Sequence, residues 1–338
     1  MTKFKSLKWF FIFIVFIFLF NNCKTDSKYP YKKIQIKKLF EFGSDEGDDN
    51  YIFHDPHHLD VDSIGNIYVL DTGNARIQKF SPAGKYIATI GKKGEGPGEF
   101  SQFIFTFYID NRDIIWVVDR ANFRISKFKS SGEYLGSLPI KFDALKILVN
   151  SKGDIMLKIM DRTRTNLFVI LNSKGKSLKK FGKVQTFDNP YIFVQMNYGQ
   201  VTLNQHDQIF HSFSSPYVIQ IYGANGDLLN EFTRELPYKV SIPTVDTSKG
   251  YAQFKNYKWV SFAISVDSHG YILNLFSNKP ENTEIGDAID IFDSSGKLMQ
   301  TISLDTPTRS MVLKDDKLYT ISFADFYKVR IFEIERSK

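Results

Sequence analysis

The chain has 338 residues, of which 43% are hydrophobic and 24% are charged, so its composition is that of an ordinary globular protein. The formal charge is +7, and it falls to +4 (41 basic against 37 acidic residues) without residues 1–22, which is too little to indicate a nucleic-acid partner. A single cysteine excludes a disulfide within the chain and a cysteine-based zinc site. The aromatic share of 15% favours β-strands.

The chain begins with a basic segment that contains Lys3, Lys5 and Lys8 and is followed by an unbroken apolar run from Trp9 to Phe20. The run has 12 residues, fewer than the roughly 20 that span a bilayer core, but it suits the hydrophobic part of a signal peptide. The segment LFNNC comes next and ends at Cys23, the only cysteine.

This arrangement resembles a bacterial lipoprotein signal, in which the cysteine is lipidated and becomes the mature N-terminus. The resemblance predicts a signal peptide over residues 1–22, a lipidated Cys23 and an anchor linker over residues 23–32. It implies attachment to a membrane of the cell envelope through acyl chains. Lys24 stands where many inner-membrane lipoproteins have Asp, which favours the outer membrane. The alternative is a free thiol behind an uncleaved anchor.

Residues 62–87 and 110–135 repeat one another at an offset of 48 residues. The matched pairs are Asp62/Asp110, Asp71/Asp119, Asn74/Asn122, Arg76/Arg124, Phe80/Phe128 and Gly84/Gly132. Four weaker copies follow, beginning near Val149, Leu203, Val266 and Leu313. Self-similarity at 40–50 residues indicates a repeat architecture built from six similar units.

Alternating apolar residues predict four strands in the first copy, separated by tight turns. The predicted strands are A (Leu59–Asp62), B (Asn66–Leu70), C (Ile77–Phe80) and D (Tyr86–Ile90). Gly65, Asn74 and Gly84 lie in the turns, where positive φ angles are needed. Four antiparallel strands per repeat are typical of a propeller blade. We therefore predict an all-β fold, a six-bladed β-propeller over residues 33–338; an open β-solenoid or sandwich is the alternative.

The last copy ends at its third strand, near Arg336, and supplies no strand D. The segment Lys33–Gly43 is similar to strand D of the first copy, so we predict that this N-terminal strand completes the last blade and removes the exposed edges. Blades four and five carry inserts, at Asn189–Gly199 and Arg234–Phe262. Loops of this length are often functional, and these could also cover the mouth of the channel.

The segment from His54 to Phe100 resembles an NHL repeat. The matching features are the Pro before strand A, the D-x-x-N-x-R-I run from Asp71 and the G-x-G-P-G-x-F connector that ends at Phe100. Two copies fit closely and four loosely, over roughly residues 33–336. The resemblance implies a six-bladed propeller of a kind common among bacterial lipoproteins, many of which have no assigned activity. Function must therefore be argued from the site.

Two motifs that suggest chemistry are better explained as structure. Asp71 and Arg76 flank a B–C turn, as Asp119 and Arg124 do in the next copy, and each pair can fix its turn. The segment Gly91–Phe100 is rich in glycine but lacks the Gly-Lys-Ser/Thr ending and the following helix of a phosphate-binding loop, so we interpret it as a blade connector.

His54, His57 and His58 cluster before strand A of the first copy. Some NHL-like lyases hold zinc in the central channel through histidines from several blades, but this cluster comes from one blade. Alternation along a strand is expected to turn neighbouring side chains to opposite faces. We therefore predict no metal site and no cofactor, while a channel-bound divalent metal belongs to the enzyme alternative below.

Alignment of the six A strands predicts the lining of the axial channel. The columns of Leu59 and Val61 are apolar in all six copies, whereas the column of His58 is polar in five. The predicted ligand-binding site at the channel mouth consists of His58, Thr106, Lys146, Gln200 and Ser310, with Asp60 and Tyr108 one step deeper. Such a ring could bind an anionic or hydroxyl-rich ligand; the alternative is a water-filled channel.

We predict no catalytic residues, because no Ser-His-Asp set or carboxylate pair stands out. The leading hypothesis is a lipid-anchored ligand-binding or protein-interaction module outside the cytoplasm, whose partners are the membrane and an unknown protein, small molecule or glycan. One alternative is a propeller enzyme, a lyase or a lactonase/esterase-type hydrolase, with a divalent metal at the central channel. Another is a sensor or partner protein for an envelope complex.

Overall fold

The computed structural model describes residues 31, 33–102, 104–279 and 285–337. The predicted signal peptide, Cys23 and all of the linker except Tyr31 lie outside the described residues. Within the described ranges, no helix is long and apolar enough to cross a bilayer.

The first strand, β1 (Lys33–Phe42), belongs to the last blade, and the next sixteen strands build four antiparallel sheets whose strands follow chain order. Blade 1 contains β2 (Pro56–Val61), β3 (Ile67–Asp71), β4 (Arg76–Phe80) and β5 (Tyr86–Ile90). Blade 2 contains β6 (Phe107–Ile109), β7 (Ile115–Asp119), β8 (Arg124–Phe128) and β9 (Tyr134–Pro139). Blade 3 contains β10 (Ala144–Val149), β11 (Ile155–Ile159), β12 (Phe168–Leu171) and β13 (Ser177–Phe181). Blade 4 contains β14 (Gly199–Leu203), β15 (Ile209–Phe213), β16 (Val218–Tyr222) and β17 (Leu228–Thr233).

The two inserts also carry short elements. The blade 4 insert forms α1 (Pro190–Met196), and the blade 5 insert forms a hairpin of β18 (Thr244–Asp246) and β19 (Gln253–Lys255). The sequence indicated no helix, because seven residues are too few for a helical period to show. Asn189 caps α1 by accepting hydrogen bonds from the backbone of Tyr191 and Ile192.

Blades 5 and 6 share one long strand. Blade 5 contains β20 (Ser261–Val266), β21 (Ile272–Phe276), β22 (Gly286–Phe292) and the first half of β23 (Leu298–Lys314). Blade 6 contains the second half of β23, then β24 (Lys317–Phe323), β25 (Tyr327–Ser337) and β1. The repeats predicted two separate strands here. Because no glycine interrupts β23, the outermost strand of blade 5 continues without a turn into the innermost strand of blade 6.

Pairing of β1 with β25 joins the two ends of the folded chain. The two strands are antiparallel from Lys33 opposite Ser337 to Phe42 opposite Val329. The Glu41 carboxylate accepts a hydrogen bond from Lys328 Nζ at 2.8 Å. The prediction that the N-terminal strand completes the last blade is confirmed.

The innermost strands form a closed ring. In the described part of the chain, β2, β6, β10, β14, β20 and β23 each contact the next, and β23 contacts β2. Aromatic side chains fill the space between blades; Phe168 of blade 3, for example, packs against Tyr222 of blade 4 with ring centroids 5.8 Å apart. The six-bladed propeller is therefore confirmed, and the open solenoid or sandwich is wrong.

Two of the three turn residues predicted for blade 1 have the expected positive φ angle. Gly65 and Gly84 have φ angles of 86° and 73°, as the tight hairpins require. In the third turn the left-handed residue is Ala75, with a φ of 50°, and not Asn74. Asn74 ends a short 3-10 turn, and its side-chain amide donates to the Asp71 carboxylate at 2.8 Å.

Candidate ligand-binding site in the axial channel

The innermost strands enclose a cavity of about 730 Å³ on the propeller axis. This volume lies within the range of small-molecule sites. The cavity is lined by all seven residues that the sequence assigned to the channel mouth, namely His58, Asp60, Thr106, Tyr108, Lys146, Gln200 and Ser310. The alignment of A strands therefore located the wall of the cavity.

Lys146 lies on β10 and is only 8% exposed. Among the described residues, none forms an ion pair or a hydrogen bond with its ammonium group. Burial lowers the pKa of Lys146 to about 8, because a charge is poorly solvated inside the protein. At neutral pH Lys146 therefore carries its charge without an ion-pair partner among the described residues.

Buried hydroxyl groups stand near the same depth. Thr106 is 2% exposed, and its Oγ1 atom has no hydrogen-bond partner among the described residues. Ser310 is also buried on the wall. Buried polar groups normally have partners, so the Thr106 hydroxyl indicates that water or a ligand completes the site.

His58 also lies on the wall of the cavity, close enough to Lys146 for its charge to act on the imidazole. Burial, the charge of Lys146 and the proximity of His57 lower the pKa of His58 to about 3. The imidazole is therefore neutral at physiological pH, and its ring packs edge-on against Phe107 at 5.3 Å. A neutral imidazole can donate or accept one hydrogen bond but adds no charge to the cavity.

Asp60 lies one step deeper and joins blade 1 to blade 2. Its two carboxylate oxygens accept hydrogen bonds from the backbone amides of Val61 and Ile109, each at 2.8 Å. Burial outweighs these bonds and raises the pKa of Asp60 to about 6. Burial also raises the pKa of the neighbouring Tyr108 hydroxyl, and the charge of Asp60 raises it further.

At the mouth, His57 and His58 both line the cavity, although they are adjacent on β2. The pairing of β2 with β3 shifts between Pro56 and His58, which leaves His57 without a partner residue on β3. Such a bulge adds one residue and turns its side chain. The same shift precedes Ser310 in blade 6, where Arg309 also lines the cavity. His54 lies outside the lining and contacts Asn74.

His57, Asp55 and Arg309 form a charged cluster at this mouth. His57 Nε2 lies 3.0 Å from the Asp55 carboxylate, which also accepts a hydrogen bond from Arg309. Burial would raise the pKa of Asp55, but the hydrogen bond from Arg309 and the neighbouring charges lower it. Burial lowers the pKa of His57 to about 4. An ionised Asp55 can only accept, so His57 carries its proton on Nε2 and its Nδ1 is an acceptor.

Aromatic side chains from the inserts and loops complete the rim. The sequence assignment missed these residues, which are Phe105, Tyr198, Tyr257, Trp259 and Phe262. Tyr198 and Trp259 stack with centroids 5.6 Å apart and an interplanar angle of 20°. The Tyr257 hydroxyl donates to the backbone carbonyl of Gln195, which ties the two inserts together. The interpretation of the inserts as covers for the channel mouth agrees with this arrangement. The aromatic residues of the inserts were the feature of the sequence that could have indicated these rim positions.

The two motifs interpreted as structural do hold the scaffold together. Arg76 Nε lies 2.9 Å from the buried Asp71 carboxylate, and Arg124 lies 3.4 Å from Asp119 in the next blade. In the glycine-rich connector, Phe100 is fully buried against Phe128. Across the described ranges, no group of three or more His, Cys, Asp or Glu side chains is placed to hold a metal ion.

Together, the fold and the cavity define a six-bladed β-propeller with a polar site on its axis. The chain belongs to the DUF5128 family, described as a 6-bladed beta-propeller, whose model matches residues 26–265. No curated protein matches the chain.

Solved structures with the same fold come from several bacteria. A protein described as exported, from Bacteroides fragilis, has a TM-score of 0.60 at 14% identity, covering 90% of this chain and 95% of that chain. A member of the DUF4221 family from Bacteroides vulgatus has a TM-score of 0.60 at 10% identity, covering 91% and 100%. Virginiamycin B lyase from Staphylococcus aureus has a TM-score of 0.53 at 12% identity, covering 89% and 99%. At such identities the likeness shows the fold alone.

Proposed function

We propose that this protein is a ligand-binding module that holds a small carboxylate-bearing molecule in its axial cavity. The observation that carries the proposal is Lys146, a buried ammonium group on the cavity wall without a partner among the described residues. A bound carboxylate would neutralise this charge and accept a charge-assisted hydrogen bond. The unpartnered Thr106 hydroxyl offers a further hydrogen bond.

We also propose that the module works outside the cytoplasm, anchored by lipid at Cys23 and facing the envelope from the outer membrane. The basic and apolar leader, the single cysteine behind it and Lys24 support this placement. The exported relative from Bacteroides fragilis has the same fold. The resemblance of two copies to NHL repeats agrees with this class of propeller.

The test of the site is titration calorimetry with galacturonate and glucuronate against their neutral counterparts galactose and glucose. We expect the acids to bind and the neutral sugars to bind much more weakly. Lys146→Met should abolish the difference. Lys158→Met is the matched control, because Lys158 is also buried, at 1% exposure, but lies outside the cavity and donates to the backbone of Asn197. Equal affinity for acid and neutral sugar would refute the carboxylate site.

The enzyme hypothesis is kept as a second candidate because of one observation. Asp55 holds His57 at the cavity mouth with its Nδ1 atom as an acceptor, and a neutral imidazole in this state can take up a proton from a substrate. Mass spectrometry of ligand recovered after long incubation decides between the two. Unchanged ligand supports a binding module, whereas a product that disappears in His57→Ala supports an enzyme.

A further inference from the structure

A second concave site adjoins the axial cavity on the face between blades 2 and 3. This groove has a volume of about 780 Å³, and Arg120 lines both the groove and the cavity. Its other basic residues are Lys141, Arg162 and Lys180. The two sites therefore meet at Arg120.

The charges of the groove are not balanced by its own acids. The Asp143 carboxylate lies 2.5 Å from Arg120 Nη2. The buried Asp161 carboxylate accepts hydrogen bonds from Thr163 and Asn166. It also lies 3.6 Å from Lys180 Nζ. These contacts occupy both carboxylates.

Two cations of the groove remain exposed to a ligand. Within the described ranges, no carboxylate forms an ion pair with Lys141 or Arg162, and both side chains are exposed. Four basic residues face two acidic ones, so the groove favours an anionic occupant.

We propose that the cavity and the groove together bind an acidic oligosaccharide. One terminal carboxylated sugar occupies the cavity at Lys146, and the following units lie along the groove with their carboxylates near Arg162 and Lys141. This inference rests on the proposed function, because it extends the same carboxylate site from one sugar to a chain.

The surfaces on this path favour a carbohydrate over a peptide. Phe123 lies in the groove with 67% of its surface exposed, and the rim of the cavity carries aromatic rings, which can pack against the apolar faces of sugars. The groove is lined mainly by loops, such as Arg120–Phe123 and Lys141–Asp143. A peptide that binds by strand addition needs an exposed sheet edge, and the lining of the groove reaches the edge strand of blade 3 at Lys180 of β13 alone.

The test is a length series of galacturonate oligomers, from the monomer to the hexamer, measured by calorimetry with the wild-type chain. We expect the hexamer to bind at least about tenfold more tightly than the monomer, because several exposed ion pairs each add a small contribution. The gain should shrink as salt is raised. A glucuronate series runs in parallel to cover the other common stereochemistry.

The groove variant combines Lys141→Gln and Arg162→Gln. We expect it to bind the monomer as the wild type does and to lose the gain with length. The matched control removes two exposed lysines elsewhere, through Lys85→Gln and Lys297→Gln, and should keep the gain. Circular dichroism melts check that both variants are folded.

Each outcome separates the groove from the cavity. Monomer binding that requires Lys146, without a gain in either acidic series, would overturn the groove and leave the proposed function standing. A different outcome would be that the monomer does not bind and that the increase in affinity with oligomer length is the same in Lys146→Met as in the wild type. This would overturn the cavity site and, with it, the proposal that cavity and groove bind one ligand together. Hexaglutamate binding as tightly as the acidic hexamers would overturn the assignment to a glycan.

Discussion

Ile36 of β1 lies directly opposite Ile334 of β25, so the first strand of the folded chain is paired with the last. Two residues towards the N-terminus, the backbone of Ile34 exchanges two hydrogen bonds with the side chain of Gln300, at 2.9 and 2.8 Å. Blade 6 is therefore held by residues that are about three hundred positions apart in sequence. The ring depends on this closure because an open sheet would leave an unpaired edge.

Ile34→Ala tests the closure. Ile34 is 4% exposed and packs in the core of blades 5 and 6, so its truncation should lower the free energy of unfolding by about 2–5 kcal/mol. Lys37→Ala on the same strand is the control, because that side chain is 65% exposed and should change stability by less than about 0.5 kcal/mol. Urea denaturation gives both values, and equal values for the two variants would contradict the role of β1.

Asp71→Ala tests the ion pair between Asp71 and Arg76, which joins the second and third strands of blade 1. Asp71 is fully buried and accepts hydrogen bonds from the backbone of His54 at 2.7 Å and from Arg76 at 2.9 Å. Removing one partner of a buried pair costs roughly 3–5 kcal/mol, because the other charge loses its compensation. Glu133→Ala removes the exposed pair with Lys129 and should cost about 1 kcal/mol or less. A thermal melt of Asp71→Ala close to that of the wild type would show that the turn does not need the pair.

The sequence predicted the structure correctly where the repeat alignment could be combined with the alternation of side chains along a strand. Because side chains alternate along a strand, one aligned column was enough to assign Thr106, Lys146 and Gln200 to the same wall. The position of Lys33–Gly43 beside the last copy followed from the missing fourth strand.

Other parts of the site leave no regular signal in sequence. A bulge adds one residue without marking it, so Arg309 and His57 could not be assigned to the cavity. Tyr198 and Trp259 come from inserts that have no counterpart in the other copies. The pKa values depend on burial and neighbours, which exist only in the folded ring.

Cys23→Ala tests the anchor. If the cysteine carries the lipid, the variant has no acyl chains to hold it in the bilayer, and it should leave the membrane fraction. Sedimentation of cell fractions and mass spectrometry of the purified N-terminus measure this. Lys24→Asp is a second variant that keeps the cysteine; it should stay with membranes and shift from the outer to the inner one. Continued sedimentation of Cys23→Ala with membranes would contradict lipidation.

Lys146→Met should stabilise the fold at neutral pH. The pKa of Lys146 is lowered by burial from 10.5 to about 8, so between these values the unfolded chain binds more protons than the folded one. The free energy of unfolding of the wild type therefore rises with pH across that window, and below pH 8 the full penalty of the buried charge is present. Replacing the ammonium group removes a penalty of roughly 3 kcal/mol at most.

The gain in stability from Lys146→Met should be largest below pH 8 and should decline towards pH 10.5. Denaturant titrations at pH 6, 8 and 10 measure it, with the exposed Lys152→Met as the control that changes little at any pH. A gain that does not vary with pH would mean that Lys146 is solvated or paired in the folded protein.

Affinity for galacturonate should fall in two steps as pH rises from 5 to 9. Around pH 6, Asp60 ionises and places a negative charge beside the ligand; around pH 8, Lys146 loses its proton and the attraction ends. His57 and His58, with pKa values of about 4 and 3, stay neutral throughout, and Tyr108 stays protonated because its pKa is raised.

The two steps can be assigned by variants. Asp60→Asn keeps one carbonyl oxygen as an acceptor but cannot ionise, so it should remove the lower step and leave the upper one. Lys146→Met should weaken binding at pH 5 by at least on the order of tenfold and remove the upper step, because it deletes the cation of a desolvated pair. Calorimetric titrations at half-unit pH intervals resolve both. An affinity that rises with pH in the wild type would show that the ligand is held by a group other than Lys146.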